Sequence, residues 1–336
     1  MIRRSLLIAA ALACTAAAPA PVGSGYHLVK SVTLGGDGFW DYLSIDPARR
    51  HLFVSHGTHV MVLDADTYAV VGDIPNTPRV HGIAVAKERG FVSDGGDNTV
   101  TMFDLASLKV LGKITVGTKP DAIIYDPATN RVFTMNAGSN DATAIDAATG
   151  TVIGTVALGG GPEFAAADGK GHVFVNLEDQ SEMVKFDSRK LTVEAHWPMA
   201  PCEGPSGLAI DRANERLFAG CHNETMAIVD GATGKVIATP AIGKGVDANR
   251  FDDGYAFSSN GYGTLTVVHE DTPDSFTVVD NVPTQLGART MEVDPKTHTV
   301  FLVTADLVAT PPTADNPHPR PTITPGTFRL LAFARP

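Results

Sequence analysis

The sequence predicts an all-β fold, a seven-bladed β-propeller with four antiparallel strands per blade whose N-terminal strand completes the last blade. Three observations predict it. A unit of about forty residues recurs seven times along the chain. Each unit holds several short apolar stretches bounded by turn residues, with no helical period between them. The seventh unit lacks one strand, and the start of the chain can supply it.

The repeat is marked by WDYLSIDP, VHGIAVAK, PDAIIYDP, PEFAAADG, PSGLAIDR, VDANRFDD and ARTMEVDP. Their second residues are Asp41, His81, Asp121, Glu163, Ser206, Asp247 and Arg289, at intervals of 40, 40, 42, 43, 41 and 42 residues. Five residues after each stand Asp46, Ala86, Asp126, Asp168, Asp211, Asp252 and Asp294; three of the aspartates precede proline, as at the start of a type I turn. The second strands centre on Phe53, Phe91, Phe133, Phe174, Phe218, Phe257 and Phe301. In five units the third strand ends in aspartate (Asp64, Asp104, Asp146, Asp187 and Asp230), and a turn leads to a fourth strand, as in DAATGTVIGTVALGGGP. After Phe301 only FRLLAFA remains, whereas LVKSVTLGG at residues 28–36 matches VIGTVALGG at 152–160 in spacing. Pairing that segment into blade 7 removes an exposed sheet edge and closes the ring. A lone blade cannot bury its faces, so the ring forms as a whole.

Composition agrees with this reading. The 336 residues suffice for a large core, and 33 Gly with 22 Pro suit many tight turns. Residues 1–20 read as an export signal, with Arg3 and Arg4 before SLLIAAALA and small residues through Ala20. A periplasmic or secreted protein is therefore expected. Lipidation at Cys14 is the alternative, although Ala11 stands where lipoprotein signals usually carry Leu. The net charge of −11 becomes −13 once Arg3 and Arg4 leave with the signal. An acidic body repels phosphate backbones, which argues against nucleic acid as a partner. Beyond the leader no apolar run reaches the length of a transmembrane helix. Residues 26–336 are read as one propeller domain, expected to be a monomer. Cys202 precedes Ser206 by four residues and Cys221 ends the neighbouring second strand, so a disulfide is expected in an oxidising compartment. A copper or zinc site using Cys221 and His222 is the alternative.

The units DPATNRVFTMNAGSNDATAIDAATGTVIGTV and DRANERLFAGCHNETMAIVDGATGKVIA resemble the YVTN, or YncE-like, β-propeller repeat. The resemblance extends over residues 26–336. It departs locally at Ala86, which replaces the turn Asp in blade 2, and at HEDTPDS in blade 6, where other units have a short D-x-x-TG turn. Such a repeat implies the fold and leaves the function open, because unrelated activities share propellers.

In a propeller the first strand of each blade is innermost, which places Asp41, His81, Asp121, Glu163, Ser206, Asp247 and Arg289 around one mouth of the axial channel. Converging carboxylates repel one another and call for cations or hydrogen-bond donors nearby. The ends of the second strands are expected to add His56, Asp94, Asn136, Asn176, His222, Asn260 and Thr304, with Glu178 beyond. Asp41, His56, Asp121, Asn136, Asn176, Asp247 and Asn260 are thus ligand-binding candidates. Glu163, Asn176 and Asp247 offer hard oxygens for Ca²⁺ or another divalent metal; His56, His81 and His222 could hold zinc instead. His81 or His56 is a candidate general base, Glu163 a further catalytic candidate, and Arg289 an anchor for an anionic substrate. The plainer reading is that each such side chain bonds loop backbone in a wet channel mouth. No HExxH, EF-hand loop, CxxC, CxxCH or GxSxG motif is present. Residues 305–327, with five prolines from Pro311 to Pro321, interrupt blade 7 and are expected to overhang the same mouth as a lid, with His318 and Arg320 turned inward.

The leading functional expectation is binding of a small-molecule or peptide-like ligand at this mouth. A metal-dependent hydrolase is the alternative. Glu163, Asn136, Asn176 and Asp247, with His81 as base, resemble in composition the Glu/Asn/Asn/Asp cluster of propeller lactonases and esterases, although those enzymes usually have six blades. An envelope scaffold with a protein partner on the outer blade surfaces is a further alternative. A quinone-linked dehydrogenase ranks last, with only Trp40 and Trp197 for stacking.

Overall fold

A computed structural model describes residues 23–311, 319 and 321–336. Residues 1–20, read above as an export signal, with Cys14, His318 and Arg320, lie outside the described residues. Seven four-stranded antiparallel sheets succeed one another along the chain. Their innermost strands are Trp40–Asp46, Val80–Ala86, Pro120–Asp126, Pro162–Ala167, Pro205–Asp211, Val246–Asp252 and Met291–Asp294. Each packs against the next and the seventh against the first, so the ring is closed. Blade 7 runs outward from Met291–Asp294 through Thr299–Thr304 and Arg329–Ala334 to the N-terminal strand His27–Thr33. That last strand pairs antiparallel with its neighbour, His27 opposite Ala334 and Thr33 opposite Arg329.

The repeated residues hold the blades for identifiable reasons. The seven phenylalanines of the second strands are all buried and fill the space between adjacent sheets; Phe53 meets Phe103 and Phe133 meets Phe186 edge-on at 5.6 and 5.3 Å between ring centres. Five of the six aspartates after the first strands cap turns, while Asp252 bonds His298 Nδ1 at 2.6 Å. Asp46 Oδ1 accepts the backbone N–H groups of Ala48 and Arg49, and Asp168 Oδ1 those of Lys170, Gly171 and His172. The second set works alike: Asp187 accepts N–H from Arg189 and Lys190, which draws its carboxyl down to about 2. Blade 2 does without the first aspartate because its turn is shorter. Ala86 pairs directly with Arg89 across Lys87-Glu88, whereas Asp126 pairs with Arg131 across four residues. In blade 6 the HEDTPDS stretch is a longer hairpin, with Thr272 opposite Ser275 across Pro273-Asp274.

Cys202 and Cys221 form a disulfide with Cα atoms 5.5 Å apart, tying the entry of blade 5 to the end of its second strand. The segment interrupting blade 7 begins and ends as a small ladder, Leu307 opposite Ile323 and Val308 opposite Thr322. Among the described residues no helix is long and apolar enough to cross a membrane.

Candidate functional site

Six of the seven innermost strands carry a register irregularity where the repeat places its polar residue. The breaks fall between Trp40 and Leu43, Val80 and Ile83, Pro120 and Ile123, Pro162 and Ala165, Pro205 and Leu208, and Val246 and Ala248. Asp41, His81, Asp121, Glu163, Ser206 and Asp247 each lie inside such a break. A bulge frees a residue from the pleat and re-aims its side chain. Buried serines satisfy the backbone there: Ser93 accepts the Gly82 N–H at 2.8 Å and donates to the Asp121 carbonyl, while Ser206 donates to the Asp247 carbonyl at 3.2 Å.

These residues do converge. Asp41, His81, Asp121, Glu163, Ser206, Asp247 and Arg289 line one cavity of about 580 Å³ at the channel mouth, with Tyr42, Arg79, Glu178 and His222. His81 Nδ1 lies 2.6 Å from Asp41 Oδ2 and 3.7 Å from Asp121 Oδ2. Burial pulls the imidazole toward neutrality, but the Asp41 hydrogen bond and the Asp121 charge outweigh it, so His81 holds its proton more firmly than usual. Gly95 makes room for this ring, since a Cβ there would lie 2.7 Å from Nε2. Arg289 pairs with Asp247 through Nη1, and His222 Nδ1 sits 3.3 Å from Glu178 Oε1.

The carboxylates remain undercompensated. Burial, followed by the charges of Asp121 and Glu178, pushes Glu163 up to about 9. Burial raises Asp121 to about 6 against the opposing pull of His81, and Asp247 to about 6 against that of Arg289. Such displaced carboxyls clustered in a cleft mark a candidate functional site.

Tyr42 forms the floor. Its ring packs on Phe164 with centres 4.6 Å apart, and Arg250 caps the far face of Phe164 at 5.8 Å. Tyr42 also lines the cavity that opens from the other end of the channel. Burial holds the Tyr42 hydroxyl well above its usual value, where it stays a hydrogen-bond donor. The signal was present in the repeat: the positions after the polar residue read Tyr42, Gly82, Ala122, Phe164, Gly207, Ala248 and Thr290, two aromatics among smaller residues.

Most of the expected outer shell is not in the cavity. Asn136 is fully buried and donates to Asp141 and Thr143 at 2.6 and 2.9 Å; Asn260 likewise donates to Thr264 and Thr266. Both bind the third strand of their own blade. Asn176 reaches the next blade instead, donating to the Ser206 carbonyl at 2.8 Å. A buried amide must satisfy its N–H groups, and carbonyls and hydroxyls of the sheet are nearer than the channel. His56 is stacked on Phe328 at 4.3 Å and buried, which lowers its pKa to about 4. Asn176 therefore does not line the cavity with Glu163 and Asp247, nor does His56 with His81 and His222. Among the described residues the one group of His, Cys, Asp and Glu whose ligand atoms all lie within 4.8 Å of one another is Asp41, His81 and Asp121. Cys221 is held in its disulfide, which removes the Cys221-His222 alternative.

No family model matches, and no curated protein matches. Solved structures do. Kuenenia stuttgartiensis hydrazine synthase is similar at a TM-score of 0.67 and 16% identity, covering 78% of this chain and 91% of that one. U3-55K is similar at 0.73 and 8% identity, covering 93% and 99%, and the RRP9 WD40 repeats at 0.74 and 8%, covering 94% and 99%. The protein is a seven-bladed, WD40-like β-propeller. At these identities the likeness extends to the fold alone.

Proposed function

We propose that this protein binds a small-molecule or peptide-like ligand at the polar channel mouth, one that brings positive charge or hydrogen-bond donors. The observation that carries the reading is the crowding of Asp121, Glu163 and Asp247 in an open cavity, each held above its ordinary value. A group left partly protonated by its neighbours releases that strain when a cation or donor arrives. The YVTN-like repeat and the leader with Arg3 and Arg4 support an exported, periplasmic setting for this ligand. Native mass spectrometry of protein purified from the periplasm, with a thermal-shift screen of primary amines and divalent chlorides, tests the proposal. Shifts lost in a triple variant Asp121→Asn, Glu163→Gln, Arg289→Ala support it; shifts equal in both proteins place the binding elsewhere.

A metal-dependent hydrolase is the second reading, favoured by the proximity of Asp41, His81 and Asp121. Two carboxylates and an imidazole suit Zn²⁺, or Ca²⁺ with added waters, and a bound ion would activate water at the mouth. An ion there would take the place of the proton on His81 and favour the charged form of Asp121, which burial holds back. Turnover on a panel of lactones and esters, abolished by a chelator and restored by the metal, is the expected result. Turnover indifferent to the chelator would remove this reading.

A further inference from the structure

A second cavity, of about 460 Å³, adjoins the polar mouth. Its walls include Phe39 and Trp40 from blade 1, Tyr262 from blade 6, Leu286 from the entry to blade 7, and Leu307 and Pro321 from the interrupting hairpin. Gly245 and Arg289 line both cavities, so the two adjoin at these residues. Among the described residues twelve large hydrophobic side chains are exposed, and eight of these sit on outermost strands. Of the other four, Phe39, Tyr262 and Leu286 line this cavity and Val308 neighbours Leu307. Apolar side chains left wet beside a polar cleft are the mark of a ligand pocket. Arg289 stands at the junction with its side chain 43% exposed, and among the described residues its guanidinium donates a hydrogen bond only to Asp247, which leaves N–H groups for a ligand oxygen.

We propose that the side cavity receives the apolar arm of an amphipathic amine whose ammonium group lies among Asp41, Asp121, Glu163 and Asp247. A peptide with a free N-terminus and an apolar first residue belongs to this class, its first carbonyl oxygen meeting Arg289. The inference rests on the reading of the mouth as a ligand site and adds the shape and charge of the occupant. The carboxylates select a cation over an anion, and the walls select an aromatic or branched aliphatic arm. Tyr262, with Lys244 Nζ 4.7 Å from its ring centre, and Leu286 present exposed side chains to that arm.

Isothermal titration of the whole protein with phenylethylamine, ethylamine, phenylacetate and phenylalanine amide tests it. Phenylethylamine and phenylalanine amide are expected to bind at least about tenfold more tightly than ethylamine, the effect of burying one ring. Tyr262→Ala with Leu286→Ala, both at exposed positions and so compatible with folding, is expected to erase that advantage and leave ethylamine binding unchanged. Equal affinity for phenylethylamine and ethylamine, both lost in Asp121→Asn, would overturn the side-cavity inference and leave the mouth reading standing. Tighter binding of phenylacetate than of phenylethylamine would overturn the charge assignment. Binding of none of the four probes would overturn both readings.

Discussion

Replacing Glu163 with glutamine is expected to stabilise the protein at neutral pH and leave its stability nearly unchanged near pH 4.5. Burial, then Asp121 and Glu178, raise this carboxyl from its ordinary 4.5 to about 9. Across that window the unfolded chain has lost the proton while the folded protein keeps it. Stability from this group is therefore complete below pH 4.5 and is lost as pH rises toward 9. The slope is about 1.4 kcal/mol per pH unit, so by pH 7 the deficit is about 3 kcal/mol before solvent at the half-buried carboxyl reduces it. Glutamine is close in shape and does not titrate. Urea unfolding followed by the fluorescence of Trp40 and Trp197, at pH 4.5, 6, 7 and 8, reads the difference directly. The stability gained by the variant is expected to grow with pH to about 2 kcal/mol at pH 7. A gain independent of pH, or a variant less stable than the parent at pH 8, would refute the account of crowded carboxylates at the mouth.

His56 gives the opposite slope. Its folded pKa near 4 lies below the usual 6.5, so its contribution is complete above pH 6.5 and is lost as pH falls toward 4; His56→Phe, which keeps a ring on Phe328, is expected to flatten the loss between pH 6.5 and 5 in the same urea assay. Replacing Cys202 and Cys221 by serine is expected to cost about 3 kcal/mol through the entropy of the 19-residue separation the disulfide closes, and an unchanged urea midpoint would contradict it. Removing residues 23–34 bares the Arg329–Ala334 edge of blade 7; size-exclusion chromatography should show association or aggregation, and a monomer of unchanged melting temperature would show that the N-terminal strand is dispensable. Asn176→Ala leaves the Ser206 carbonyl without its partner and is expected to destabilise by about 1–3 kcal/mol without altering binding at the mouth; loss of binding at intact stability would return Asn176 to the site.

The blade count, the closing strand and the recurring turn aspartates, six after first strands and five after third strands, were legible because each depends on local chemistry repeated at a regular interval. Asp46 caps its own turn, Phe133 fills its own interface, and LVKSVTLGG carries the spacing of an outermost strand wherever it stands in the chain. Rotation about one axis then brings Asp41, Asp121, Glu163 and Asp247 together, so their meeting could also be read from the repeat. The shell around them could not. Asn136, Asn260 and His56 occupy equivalent positions in the repeat, with Asn176 one residue short of its own; the first two bind matching threonines of their own third strands, Thr143 and Thr266, whereas His56 stacks on Phe328 and Asn176 reaches the Ser206 carbonyl across a blade interface.

The sequence by itself determined the number of blades, the way the ring closes and the ring of polar residues at one mouth, because hydrophobic spacing and turn capping act over a few residues and recur. Only the tertiary structure decided which side chains reach the cavity, that Tyr42 packs on Phe164, and that an apolar chamber opens beside Arg289. Those outcomes depend on side chains from blades far apart in the chain competing for the same space and the same hydrogen bonds, and no repeat length records who wins.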